Sequence, residues 1–423
     1  MADEIRPFTI AIPDAELEDL RERLRRARFP DELEDVGTDM GAPLANVKRL
    51  ATHWAETYDW RKAEAELNQL PHFRTRIQAT GFEALDVHFV HKRSSRADAI
   101  PLLFAHGWPG SFLEATKILG PLTEPAEASL PAFHVVVPSL PGYGFSEGSK
   151  RRGFSVDQHA EIFHTLMLRL GYDEYATQGG DWGFLITRAM GRRYAPRHVK
   201  AQHLNLDRFP QPSLRRNPVA LLRTMVSAFI TGFSDREKKG FERSKWFKEE
   251  GSGYFSVQST KPQTLGYGLT DSPVALLAWI YEKLVDWTDS YPWTDDEVCT
   301  WMSIYWFSTA GPRAAHQLYY EVIHVKDPAT FKEKQAKGIW ASDVDDLAAW
   351  QDVKIGLAHF PRDVLSLPGY WGHVLGNIVY EKDHTRGGHF AAWECPDEIV
   401  SDLREMFGSN GGAKGAVKTV AKL

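Results

Sequence analysis

The chain has 423 residues, 43% hydrophobic and 25% charged, with 50 Lys and Arg against 56 Asp and Glu. That much apolar surface excludes disorder over most of the length. The net charge of −6 argues against a nucleic-acid binder, which would present a basic face. The length suggests about two or three units, or one large domain with insertions. The two cysteines, Cys299 and Cys395, are a poor disulfide framework and too few for a four-cysteine zinc site. Both are read as reduced thiols of a cytoplasmic protein. No basic stretch leads into an apolar run at the N-terminus, so no signal peptide is expected. The longest uncharged apolar run, Pro273 to Tyr281, is far short of a membrane span.

Asp14 to Arg28 places Leu17, Leu20 and Leu24 at spacings of three and four, which predicts an amphipathic helix with Asp14 as N-cap. A second helix is expected from about Pro43 to Tyr58, with Trp54, Tyr58 and Trp60 burying the segment against a larger body. From Phe73 the period becomes two. Arg74–Ala79 and Leu85–His91 alternate around Thr80-Gly81, which predicts a hairpin. Pro101–Ala105 and Phe133–Val137 are continuous apolar runs, as buried parallel strands require. Tyr175–Gln178, Val199–Leu206, Lys354–Phe360 and Gly376–Tyr380 continue the series at helix-length gaps. One gap differs: between Leu206 and Lys354 lie about 150 mostly helical residues, too many for a crossover. They form a second module on the carboxyl edge of the sheet. The tail from Ser409 is poor in core residues and is expected to fray.

Chemistry concentrates after three strands. Gly179-Gly180-Asp181-Trp182-Gly183 follows the Tyr175 strand and leads into an apolar helix. This is the small-x-nucleophile-x-small elbow of an α/β-hydrolase, with Asp at its centre instead of Ser. The glycines allow a tight turn, and the helix dipole favours a carboxylate there. The competing reading is that Asp181 only caps the helix. His106-Gly107-Trp108-Pro109-Gly110, after the Pro101 strand, is the loop that supplies one oxyanion-hole amide in this topology. The residue after the nucleophile supplies the other, so Trp108 and Trp182 are the expected donors. Gly387-Gly388-His389 follows the last strand, where a glycine hinge would let His389 reach back over the sheet edge. His384 is its nearest competitor. Asp363, after the Lys354 strand, gives the order nucleophile, acid, histidine; Asp207 is the alternative acid.

A carboxylate nucleophile selects displacement at saturated carbon, since it makes an ester there that water must later cleave. His389 then activates water. The electrophile is an epoxide or a carbon–halogen bond, and an epoxide oxygen needs a proton donor such as Tyr.

The chain resembles the microsomal-type epoxide hydrolases, in a form without a membrane anchor. The likeness runs through Phe8–Trp60, His106–Phe112, Leu140-Pro-Gly-Tyr-Gly-Phe-Ser146, Gly179–Gly183, Thr260-Lys-Pro262, Leu269–Trp279 and Gly387–Glu394. The resemblance implies two lid tyrosines that bind substrate and polarise the epoxide oxygen. By position these are Tyr254 and Tyr319, and a one-residue slip would exchange Tyr319 for Tyr320. It places the acid at Asp363. The expected fold is an α/β-hydrolase: a mostly parallel sheet flanked by helices, with a helical lid insertion and an N-terminal meander. The expected bounds are a meander over 1–73, core over 74–208 and 350–408, lid over 209–349 and a flexible tail over 409–423. The implied reaction turns an epoxide, bulky or aromatic, and water into a vicinal diol, with no metal or organic cofactor, in detoxification or specialised-metabolite biosynthesis. A dehalogenase-type hydrolase and a catalytically silent ligand carrier are the rivals. The sequence does not fix the oligomeric state; a homodimer is compatible with it.

Overall fold

The structure, a computed structural model, describes residues 4–326, 342 and 344–418. Residues 327–341 and 343 of the expected lid, and the ends of the chain, lie outside them. Among the described residues, nine strands form one sheet in the order β1-β2-β3-β5-β4-β6-β7-β8-β9. They are β1 (Arg6–Pro7), β2 (His72–Gln78), β3 (Ala84–Lys92), β4 (Ile100–Ala105), β5 (Phe133–Pro138), β6 (Tyr175–Gly179), β7 (Val199–Leu204), β8 (Gln351–His359) and β9 (Gly376–Asp383). β2 and β3 make the expected antiparallel hairpin, with Phe73 opposite Phe89. From β5 to β9 every pairing is parallel. The central strands are buried on both faces, which explains their continuous apolar runs.

Helices cover both faces. α4 (Thr116–Thr123) follows β4, α5 (Val156–Arg169) precedes β6, α6 (Asp181–Tyr194) follows it, and α14 (Pro396–Phe407) closes the core. Arg188 of α6 donates to Gln202 of β7, while Asp402 of α14 meets His203, the next residue of that strand. Successive strand residues point to opposite faces, so α6 and α14 sandwich the sheet.

Between β7 and β8 the chain inserts α7 (Pro218–Val226), α8 (Asp235–Trp246), α9 (Gly253–Thr260), α10 (Pro262–Asp271), α11 (Pro273–Asp286), α12 (Asp295–Trp306) and α13 (Gln317–Ile323). The N-terminal α1 (Asp14–Arg25), α2 (Leu44–Glu56) and α3 (Trp60–Leu67) pack on α11 and α12. Trp54 donates its indole N–H to Ser303, and the Tyr58 hydroxyl bonds Thr300. These contacts bury Trp54, Tyr58 and Trp60 as the sequence predicts. β1 adds the same segment to the sheet edge, so it ties the inserted helices to the core.

Two local expectations fail. Pro13 occupies the α1 N-cap, and Asp14 instead meets the Arg61 guanidinium. The tail is ordered as far as Lys418: Ala413 and Val417 are buried, and the Ala413 amide donates to the Met406 carbonyl. Its anchors are small residues and backbone groups, which hydrophobic patterning does not register.

Candidate active site

Strand register assembles the site. β4 and β6 are neighbours in register, with Ala105 beside Gly179, so the loop after one lies against the turn after the other. β8 and β9 end together, with His359 beside Asp383, which brings the segments carrying Asp363 and His389 to the same edge.

Asp181 begins α6 with φ +47°, a left-handed conformation for a residue with a side chain. Such a position costs on the order of 1–3 kcal/mol. Helix capping does not require it, whereas a turn that lifts one side chain off the sheet edge does. A Cβ on Gly183 would run into the Ala105 carbonyl, and one on Gly107 into the Asp181 carboxylate. Both glycines are therefore demanded by close approach. The same holds at Gly387 and Gly388, whose Cβ atoms would meet Cys395 and the Trp287 carbonyl. That pair is a packing device and not the flexible hinge expected from sequence.

Around Asp181 the predicted residues converge. The Trp108 amide donates to Asp181 Oδ1 at 2.8 Å. Trp182, the second residue of α6, has an amide without an intrahelical acceptor by position. It makes no hydrogen bond to the Asp181 carboxylate, whose Oδ2 turns instead toward His389 Nε2 at 3.3 Å. Nδ1 of the same imidazole lies 2.6 Å from Asp363 Oδ1. The His389 amide donates to the Trp287 carbonyl, and the ring meets the Trp287 indole edge-on at 4.9 Å. His384 pairs with Asp402, and Asp207 with His359, so both competing residues are engaged elsewhere.

The tyrosines close the other side. Tyr254 stacks on Trp108 at 5.0 Å, Tyr319 stands edge-on to Trp182 at 4.6 Å, and the two phenol rings are 6.0 Å apart. Tyr319 is buried and its hydroxyl has no hydrogen-bond partner in good geometry. Tyr320 points away and stacks on His324. The inserted helices also brace the Trp108 loop: Trp301 donates to the Pro109 carbonyl at 2.5 Å and Tyr305 to the Gly110 carbonyl at 2.7 Å.

Burial raises the pKa of Tyr254 and of Tyr319 well above 10, and the Asp181 charge adds to it. Both phenols therefore hold their protons. Burial alone would discharge His389, but the Asp363 charge and hydrogen bonds to Asp181 and Asp363 raise its pKa to about 10. At neutral pH this favours the protonated ring between Asp363 and Asp181.

One residue absent from the sequence reading joins them. Glu114 fills the space where a Cβ on Gly110 would sit, and burial raises its pKa to about 8. With Asp181, His389, Gln178 and Asn205 it lines a cavity offering about 10 Å³ to the centre of a water molecule, about the room that one water needs. No local pattern marks it, because its meaning comes from the missing side chain at Gly110. Among the described residues no group of three or more His, Cys, Asp or Glu could hold a metal ion.

A parallel-sheet core, an elbow aspartate and a histidine–aspartate pair at one edge define an α/β-hydrolase. The comparisons agree. Residues 100–230 match the alpha/beta hydrolase fold family and residues 5–115 match the epoxide hydrolase N terminus family. The chain is 36% identical to epoxide hydrolase 1 of Sus scrofa, over 96% of this chain and 89% of that one. It superposes on the Aspergillus niger epoxide hydrolase with a TM-score of 0.78 and 34% identity, covering 95% of both chains. The juvenile hormone epoxide hydrolase of Bombyx mori gives a TM-score of 0.79 at 30% identity, covering 95% of this chain and 93% of that one. The chain belongs to the epoxide hydrolase family and is an enzyme of that class.

Proposed function

We propose that the enzyme converts an epoxide and water to a vicinal diol through an ester on Asp181. The observation that carries this is the imidazole of His389 set between Asp363 and Asp181, opposite two protonated phenols. Asp181 attacks an epoxide carbon from the elbow. The opening oxygen takes a proton from Tyr254 or Tyr319, at the point where negative charge develops. The Trp108 and Trp182 amides stabilise the oxyanion formed later, when water attacks the ester.

Esterification removes the Asp181 charge, one of the two charges that keep His389 protonated. The imidazolium proton then replaces the one the phenol gave up, and neutral His389 becomes a base. It deprotonates a water in the cavity beside Glu114, and that water attacks the ester carbonyl. Diol leaves with an oxygen from Asp181, the carboxylate is restored, and His389 again carries the proton. Every proton is returned. Glu114, uncharged below about pH 8, can hold that water by hydrogen bonds without adding a second anion beside Asp181.

The inserted helices act as a lid whose aromatic lining suits a bulky or aromatic epoxide, in detoxification or specialised metabolism. One observation favours halide displacement as a second reading. The indole N–H of Trp108 is buried without an acceptor and that of Trp182 has none in good geometry, and a leaving halide needs such donors. Turnover of styrene oxide and of a chloroalkane of similar size, with products separated by chromatography, decides between them. Diol formation with no chloride release is expected, and chloride release alone would reverse the assignment.

A further inference from the structure

The segment that carries His389 is held from two sides. On one side it runs beside the segment of Asp363: Arg362 pairs with Gly388, and the Arg362 amide donates to the Gly387 carbonyl. On the other side lies the chain after α11, in the inserted module. There the Trp287 carbonyl accepts the His389 amide, and Asp289 Oδ2 accepts the Gly387 amide at 2.9 Å. The first side follows from the register of β8 and β9. The second is contributed from 98 residues away in sequence and needs its own anchor. Glu394, in the single turn Ala391–Glu394 just past His389, supplies it, because its Oε2 accepts the Asp289 amide at 2.8 Å. The two carboxyl groups thus close a ring. Asp289 holds the backbone of the histidine segment, and that segment's own Glu394 holds the backbone of Asp289.

The backbone next to this ring is strained. Ser290 has φ +56°, a left-handed conformation for a residue with a side chain, and such a conformation persists where surrounding contacts over-determine it. The Asp289 bonds on either side of its Cα are such contacts. Their effect reaches the reaction through His389, whose ring must keep Nδ1 at Asp363 and Nε2 at Asp181 together. Trp287 also packs its indole on Tyr254 and Trp108, but the Asp289 carboxylate ends on the histidine segment alone. Burial raises the Glu394 pKa to about 7, against hydrogen bonds from the Asp289 and Gly388 amides. Charged or neutral, its oxygen accepts the Asp289 amide, so Gln is a fair replacement and Ala is not. We propose that Asp289 and Glu394 are positioning residues for hydrolysis of the Asp181 ester, holding the His389 segment to the inserted module. The inference rests on the reading of His389 as the base of that step.

Styrene oxide mixed with the full-length enzyme and quenched at intervals tests the proposal, with adduct formation and decay followed by intact-mass spectrometry. Rates are compared and not yields, so unfolded protein lowers the amplitude without imitating the effect. D289A should form the adduct at close to the wild-type rate and hydrolyse it up to about 10²-fold more slowly, the cost of a small misplacement of a reacting group. D289N is equally uncharged but still offers an acceptor to the Gly387 amide, so it should recover most of that rate. E394A and E394Q should differ in the same way. Wild-type hydrolysis in D289A, or D289N as slow as D289A, would overturn the assignment. Equal slowing of both steps would overturn it too, since loosened packing of the whole module has that effect. H389Q separates this inference from the reading beneath it. No adduct in H389Q would remove the ester route and the inference with it, whereas an adduct in H389Q beside unaltered hydrolysis in D289A would remove the inference alone.

Discussion

Nε2 of His389 lies 3.3 Å from Oδ2 of Asp181, so the group read as the base is paired with the group read as the nucleophile before any substrate arrives. The pairing links the two halves of the reaction. In the proposed reaction His389 holds its proton while it faces the Asp181 carboxylate, and esterification of Asp181 would free the imidazole to act on water.

His389→Gln should therefore separate the steps. Alkylation should proceed and ester hydrolysis should stop, so intact-mass spectrometry should find enzyme plus one substrate. Asp363→Asn should show the same adduct more weakly, because it orients the imidazole and stabilises its charge. A folded His389→Gln variant that is inactive without an adduct would contradict the division of labour.

In the proposed reaction the phenols serve the other step. Tyr254→Phe and Tyr319→Phe should each slow alkylation by about 3 kcal/mol, or ~10²-fold, with a smaller effect on hydrolysis. Tyr320→Phe should change little, since Tyr320 stacks on His324 outside the cluster. Pre-steady-state rates of the three variants check this. Three silent variants would remove the main distinction from a dehalogenase.

Glu114 gives a pH signature. Its pKa of about 8 lies above the usual carboxyl range, so the residue is neutral at pH 7 and ionises as pH rises through about 8. A new anion beside Asp181 and His389 should then disturb the water, and ester hydrolysis should show an inflection there. Glu114→Gln, which keeps shape and hydrogen bonding, should lose the inflection while still alkylating normally. A retained inflection would place its origin elsewhere.

Asp207 has a structural task. Its Oδ1 lies 2.6 Å from His359 Nδ1 and its Oδ2 accepts the Leu367 amide, just beyond Asp363. Burial opposes charge on His359, but Asp207 and then Glu381 raise its pKa to about 10. Because the folded pKa lies above the unfolded one, the stabilisation is full below about pH 6.5 and is lost as pH rises through about 10. Asp207→Asn should thus cost about 3 kcal/mol near pH 6, with a smaller deficit near pH 10. Denaturant unfolding at the two pH values measures both.

Much of this was legible in the residues themselves. Pro101–Ala105 and Phe133–Val137 stood out because burial on both faces leaves continuous apolar runs. Asp181, Asp363 and His389 could be named as candidates because each lies in the segment after a predicted strand. Tyr254 and Tyr319 were reachable only through family resemblance, since nothing periodic separates Tyr319 from Tyr320. Glu114 and Trp287 were not reachable. Their significance comes from a vacant Cβ position at Gly110 and from a backbone carbonyl that holds the His389 segment. The tail misled for the same reason, because its anchors are Ala413, Val417 and main-chain groups.

A covalent ester on Asp181 can be caught by one turnover in ¹⁸O-water with enzyme in excess, followed by mass analysis of the peptide containing Asp181 and of the diol. The ester route predicts label in the Asp181 carboxylate and an unlabelled diol. Label in the diol with an unlabelled Asp181 would mean that water attacks the epoxide directly and that no ester forms.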